Sequence, residues 1–207
     1  MKRLHRTDLY SWSVFNEDRN IDFHSVLWVR PFGNILFDPL PLSGHDQEHL
    51  DDLGGAHKIL ISNSDHCRDA EHIAANTGAT IYGPAGEQQN FPIECSNWLE
   101  GGDEPVEGLN IYQVNGSKTA GELAFVIESS TMITGDLVRC HEAGKLTLLP
   151  DGKLQDKEQA ILSVKQLAEL DQIEVVLPGD GWPVFSDGHR ALKELFAYQS
   201  GLLIEST

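Results

Sequence analysis

The chain has 207 residues, 40% of them hydrophobic and 23% charged. This length buries a sizeable core within one domain, and the composition excludes a disordered chain. Its 15 Lys and Arg stand against 32 Asp and Glu, a formal charge of -17 that repels phosphate backbones and anionic membrane surfaces, so neither nucleic acid nor membrane is an expected partner.

The N-terminal stretch "MKRLHRTDLYSWSVFNEDRN" is basic at its start but has no apolar core of signal-peptide length, and no run approaches a membrane span. Three scattered cysteines, Cys67, Cys95 and Cys140, make neither a disulfide framework nor a CxxC zinc motif. A cytoplasmic protein with reduced thiols is expected. Strand-like material starts at "SVLWVRPFG" (25–33) and continues in "NILFDPL" (34–40), with a Gly-Asn turn between them, which predicts a hairpin. "HKILIS" (57–62) has the short apolar run of a buried strand. "CRDAEHIAANTG" (67–78) then reads as a helix closed by Gly78, and "ATIYGP" (79–84) as a further strand stopped by Gly83 and Pro84.

The second half repeats the theme. "GLNIYQVN", "LAFVIES" and "TMITGD" predict three consecutive strands. Between Asp156 and Leu170, the apolar residues Ala160, Ile161, Val164, Leu167 and Ala168 recur at helical spacing, and "QIEVVLPGDG" gives a buried strand ending in a turn. A last helix is read from "SDGHRALKELFAYQSGLL" (186–203), with Leu192, Leu195 and Phe196 on one face. Two sheet-rich halves, each finishing in helices, predict two inner sheets with helices on the outer faces, in one domain spanning residues 1–207.

Three acidic positions follow hydrophobic strands directly: Asp65 with His66 after "KILIS", Asp136 after "TMITG" and Asp180 after "EVVLPG". Loops at strand ends converge from distant parts of a chain, and carboxylate oxygens with an imidazole nitrogen suit a divalent cation such as Zn, Mn or Fe. Each residue also has a structural reading. Asp65 caps the following helix, Asp136 and Asp180 sit in tight turns after glycine, and His66 is a hydrogen-bonded loop histidine. Trp182 and Phe185, just past Asp180, are expected to pack their loop onto the last helix rather than to line a pocket.

The order of these elements resembles the metallo-β-lactamase fold superfamily over nearly the whole chain. The family's H-x-H-x-D-H signature falls on Ile61 to His66, where Asp65 and His66 match while Ile61 and Asn63 replace histidines. "SKTAGELAFVI" is similar to the family's next histidine turn, with Lys118 in the histidine's place and Thr119 and Gly121 kept. "TGD" matches at Thr134, Gly135 and Asp136, and "LPGDG" resembles the last family motif with Asp180 in place of its histidine. The resemblance implies an α+β protein, a four-layer αββα sandwich of two mixed sheets with helices on the outer faces.

For the site, the resemblance implies that the first of two family metal positions is lost at Ile61, Asn63 and Lys118. The second is rebuilt from Asp65, His66, Asp136 and Asp180 as a site for one divalent metal, Zn, Mn or Fe. With metal, the expected chemistry is hydrolysis of a small-molecule substrate by a metal-bound water, with Asp65 and Lys118 in catalytic roles and Lys118 answering oxyanion charge. Without metal, the chain is an inactive relative with a binding or structural role, and Lys118 pairs with Asp136 in place of the missing cation.

Other chemistries lack their signatures, because no G-x-S-x-G, Walker A or G-x-G-x-x-G motif occurs. Cys67 adjoins His66, but neighbouring residues on a helix point apart, which disfavours a Cys-His couple. His72, Cys140 and His141 lie near the matched motifs without a family position of their own.

Overall fold

The computed structural model describes residues 1–201, in two compact units that divide at Leu99 and Glu100. The first unit is a seven-stranded sheet in sequential order: β1 (Lys2–Arg3), β2 (Leu9–Asn16), β3 (Ile21–Trp28), β4 (Ile35–Phe37), β5 (Lys58–Leu60), β6 (Thr80–Pro84) and β7 (Asn97–Leu99). Strands β1 to β4 pair antiparallel and β4 to β7 parallel, so the sheet is mixed. Helices α1 (Gly44–Asp52) and α2 (Ala70–Thr77) supply two of the three crossovers that parallel pairing requires, and the third, from β6 to β7, holds a 3-10 helix over Ala85–Asn90. Leu50 of α1 and Ala70 and Ile73 of α2 pack into one cluster with Leu27, Leu36, Ile59 and Ile81 of the sheet. The alternate residues Val26, Trp28, Ile35, Phe37 and Leu60 are buried as well. Burial on both faces explains why "ILF" (35–37) and "ILI" (59–61) read as continuous apolar runs rather than alternating ones.

The second unit is a four-stranded sheet ordered β13-β10-β9-β8, from β8 (Leu109–Gln113), β9 (Leu123–Ile127), β10 (Thr131–Thr134) and β13 (Val175–Pro178), with a separate hairpin of β11 (Val138–Glu142) and β12 (Lys145–Leu148). This sheet is also mixed, β10 and β13 being parallel and the rest antiparallel. Helix α3 (Lys157–Ala168) starts at Asp156, whose side chain accepts from the Gln159 amide at 3.0 Å. Helix α4 (Gly188–Gln199) buries Leu192 and Leu195 in one cluster with Val164 and Leu167 of α3 and Val126, Met132 and Val176 of the sheet.

The 25–40 hairpin is present, Val26 facing Phe37 across it, and α2 ends at Gly78 in the left-handed conformation, as its glycine predicts. The last helix is described to Gln199, and positions 202–203 of its expected range lie outside the described residues. Among the strands and α-helices, five features are additions to the sequence reading: the two-residue β1, the long β2, helix α1, the short β7 and the β11–β12 hairpin. Strand β2 was hidden because burial does not alternate at its far end, where Ser13, Val14 and Phe15 are all exposed. Helix α1 has only Leu50 fully buried, so its apolar stripe is too thin to register as a period.

Candidate functional site

In the first unit, the end of β5 passes straight into the matched signature. Ile61 is fully buried in the same cluster as Leu36 and Ile59, and its amide donates to the Tyr82 carbonyl at 3.0 Å. It is a core residue. Asn63 is also fully buried, and its Oδ1 accepts from the Asp65 amide at 3.0 Å, which caps a single 3-10 turn over Ser64–His66. The helix-cap role read for Asp65 is not observed: Asn63 caps only the 3-10 turn, and α2 begins later with Asp69 at its N-cap position and no side-chain capping bond. Asp65 itself is exposed. The Ser64 amide donates to Glu87 Oε2 at 3.1 Å, which ties the turn to the segment after β6.

His66 is buried and held at Nδ1, 2.8 Å from Asp38 Oδ2 and 2.9 Å from Ser62 Oγ. Asp38, which follows β4 at φ 47°, also accepts from the Ser62 amide at 2.7 Å and the Ser62 hydroxyl at 2.6 Å. Arg68 donates to the Asp38 carbonyl at 2.8 Å. Burial pushes the Asp38 carboxyl up. The charge and hydrogen bond of His66, the Arg68 charge and the Ser62 hydroxyl outweigh that and hold it below the ordinary range. A Ser-His-Asp relay needs serine and aspartate on opposite ring nitrogens. Here both meet Nδ1, and Ser62 is sealed from solvent, so the cluster anchors the imidazole rather than activating a nucleophile. Cys67 is buried too, and its thiol is pushed up to about 12, chiefly by burial, which keeps it protonated at neutral pH.

In the second unit, β10 delivers Asp136 through Gly135, and Thr134 closes the turn by donating to the Val138 carbonyl at 2.9 Å. Asp136 is partly exposed. The buried Glu122 joins the two neighbouring loops: Oε2 accepts from Ser117 at 2.5 Å and Oε1 accepts from the Leu137 amide at 2.9 Å. Lys118, next to Ser117, is exposed, and its carbonyl accepts from Gln155 at 3.1 Å.

Asp180 follows β13 and is buried. Arg139 of β11 grips both its oxygens, Nε donating to Oδ1 at 2.8 Å and Nη2 donating to Oδ2. His141 Nε2 lies 3.3 Å from the same Oδ1. The backbone fixes this geometry, since Gly179 donates to Thr134 and Trp182 donates to the Cys140 carbonyl at 2.6 Å. Gly181 has φ 86°, and a Cβ there would collide with the Cys140 carbonyl oxygen, so the close approach requires glycine.

The expectation for Trp182 and Phe185 needs correction. They stay 59% and 45% exposed, because Val184, paired with Val176 through two 2.9 Å main-chain bonds, is the residue of that loop that enters the core. His72 is exposed on α2, whereas His141, which has no family position, does meet a matched residue.

Asp65 and His66 thus belong to the first unit and Lys118, Asp136 and Asp180 to the second. Among the described residues, no group of three or more His, Cys, Asp or Glu is placed to hold a metal. The donor set does not fit the two-metal centre of the family. Ile61 has no donor atom, the Asn63 carbonyl oxygen is engaged in capping, and both oxygens of Asp180 are occupied by a guanidinium. Two residues central to this arrangement escaped the sequence reading. Asp38 carried the signal used for the others, an acid directly after an apolar strand, and Arg139 is a lone cation inside the apolar run "LVRC".

No curated protein matches the chain. Among solved structures, a metallo-beta-lactamase from Pontibacter korlensis aligns with a TM-score of 0.74 at 12% identity, covering 96% of this chain and 97% of that one. The metallo-beta-lactamase DIM-1 aligns at 0.72 and 14% identity, covering 93% and 94%. A metallo-beta-lactamase family protein from Thermus thermophilus aligns at 0.71 and 17% identity, covering 94% and 80%. These likenesses establish the expected α+β fold. A family model described as the metallo-beta-lactamase superfamily matches residues 1–199. The chain belongs to the metallo-beta-lactamase superfamily.

Proposed function

We propose that this superfamily member works without a metal, as a small-molecule-binding protein of the cytoplasm in which internal charge pairs replace the family's metal charge. The observation that carries the reading is the fate of the first signature. Its two histidine positions are now folding residues, Ile61 in the core and Asn63 capping the turn that presents Asp65 and His66. A dinuclear centre needs ligands at those positions, and neither side chain is available for it. The remaining strand-end carboxylates then need cations from the protein itself, and this reading assigns Lys118 to Asp136. Both units act in it as one domain over residues 1–207.

A second reading rests on Asp38. A carboxylate on one ring nitrogen is the usual support of a metal-bound imidazole, so His66, with the neighbouring Asp65, would supply ligands to a single metal. When bound, that metal would supply a hydroxide at neutral pH. One experiment separates the readings. The purified protein is assayed against esters, thioesters, lactones and phosphodiesters, with chelator and with added Zn, Mn or Fe. The metal-free reading expects no hydrolysis and a melting temperature indifferent to chelator. Metal-restored turnover that vanishes in His66→Ala would instead establish the one-metal hydrolase.

A further inference from the structure

The ion pair between Arg139 and Asp180 is more than a neutralised acid. Asp180 occupies the end of β13, its side chain is 4% exposed, and Arg139, 9% exposed, meets it with two parallel N–H donors. This two-point geometry answers both carboxylate oxygens at once. His141 Nε2 lies 3.3 Å from Oδ1, so an imidazole and a carboxylate already stand side by side there, a donor pair suited to Mn or Zn. What separates this pair from a cation is the guanidinium.

We infer that Arg139 is a tethered substitute for a divalent cation: it occupies the coordinating oxygens of Asp180, and its removal opens a cation site on Asp180 and His141. The inference rests on the metal-free reading and adds the residue that enforces it, one the family motifs do not name. Position and burial make the substitution specific. Arg139 enters from β11, whose backbone at Cys140 is fastened to the Asp180 loop by the Trp182 amide and the Gly181 contact, so the guanidinium and the carboxylate are carried on one rigid assembly.

The test is thermal unfolding of the full chain with and without Mn(II), the cation alone serving as probe. Wild type is expected to be unmoved by Mn(II). Arg139→Met, which fills similar space without charge, is expected to melt lower without metal and to gain about 3 °C or more with saturating Mn(II). The gain is expected to disappear when Asp180→Asn is added. Mn(II) stabilising the wild type would overturn the metal-free reading itself. An unmoved wild type together with an unmoved Arg139→Met would overturn only the role given to Arg139. Should Arg139→Met not fold unaided, refolding from denaturant gives the same answer. A yield raised by Mn(II) supports the inference, and a yield indifferent to it overturns the inference.

Discussion

A buried carboxylate keeps its charge only where the protein supplies partners, and Asp38 and Asp180 receive different ones. Asp38 is answered by a histidine, a hydroxyl and a backbone amide, and its folded pKa is lowered from 3.8. A lowered folded pKa means the unfolded chain binds protons more readily on acidification. The stabilisation is therefore present above the unfolded value near 3.8 and is lost as pH falls through the folded value. Urea unfolding followed from pH 7 downward is expected to show an acid limb below about pH 4 that flattens in Asp38→Asn. At pH 7 that variant is expected to lose about 1–3 kcal/mol, because an amide group would face the Ser62 and His66 donors. An unchanged acid limb would mean that Asp38 is not the group that titrates.

At the scale of elements, close backbone contacts help to hold the strand ends. Gly181→Ala places a methyl group against the Cys140 carbonyl at a left-handed position, and about 1–3 kcal/mol of stability is expected to be lost in a thermal melt. A neutral outcome would show that β11 can move away from the Asp180 loop at little cost. The same scale explains what was legible in the sequence. Strands β5, β6, β9, β10 and β13 announced themselves as apolar runs between turn residues, and α3 by its helical period. Strand β2 did not, since a partly exposed strand loses its alternation, and neither did α1, with one buried leucine. Of the site, Asp65, His66, Asp136 and Asp180 were legible as acids and a histidine at strand ends. Asp38 carried the same strand-end signal, but its contact with His66, 28 positions away, was not legible, nor was that of Arg139 with Asp180, 41 positions away. Contact at such separation is set by sheet pairing and has no local signal.

For the whole molecule, the charge of -17 favours cations in the surrounding solution, so the lack of ligating geometry among the described residues is a matter of local pairing rather than of overall field. The fold is that of the metallo-beta-lactamases, while at the signature positions Ile61 serves core packing, Asn63 turn capping and Asp180 ion pairing. Fold and chemistry are separable in this way because a site needs only a few side chains on a scaffold that the core maintains. The most direct test of that separation is metal content. The native protein is incubated with Zn, Mn and Fe in turn, freed of unbound ions and analysed by elemental mass spectrometry. Retention far below one equivalent per chain is expected for each ion, and about one equivalent of any of them would contradict the metal-free reading.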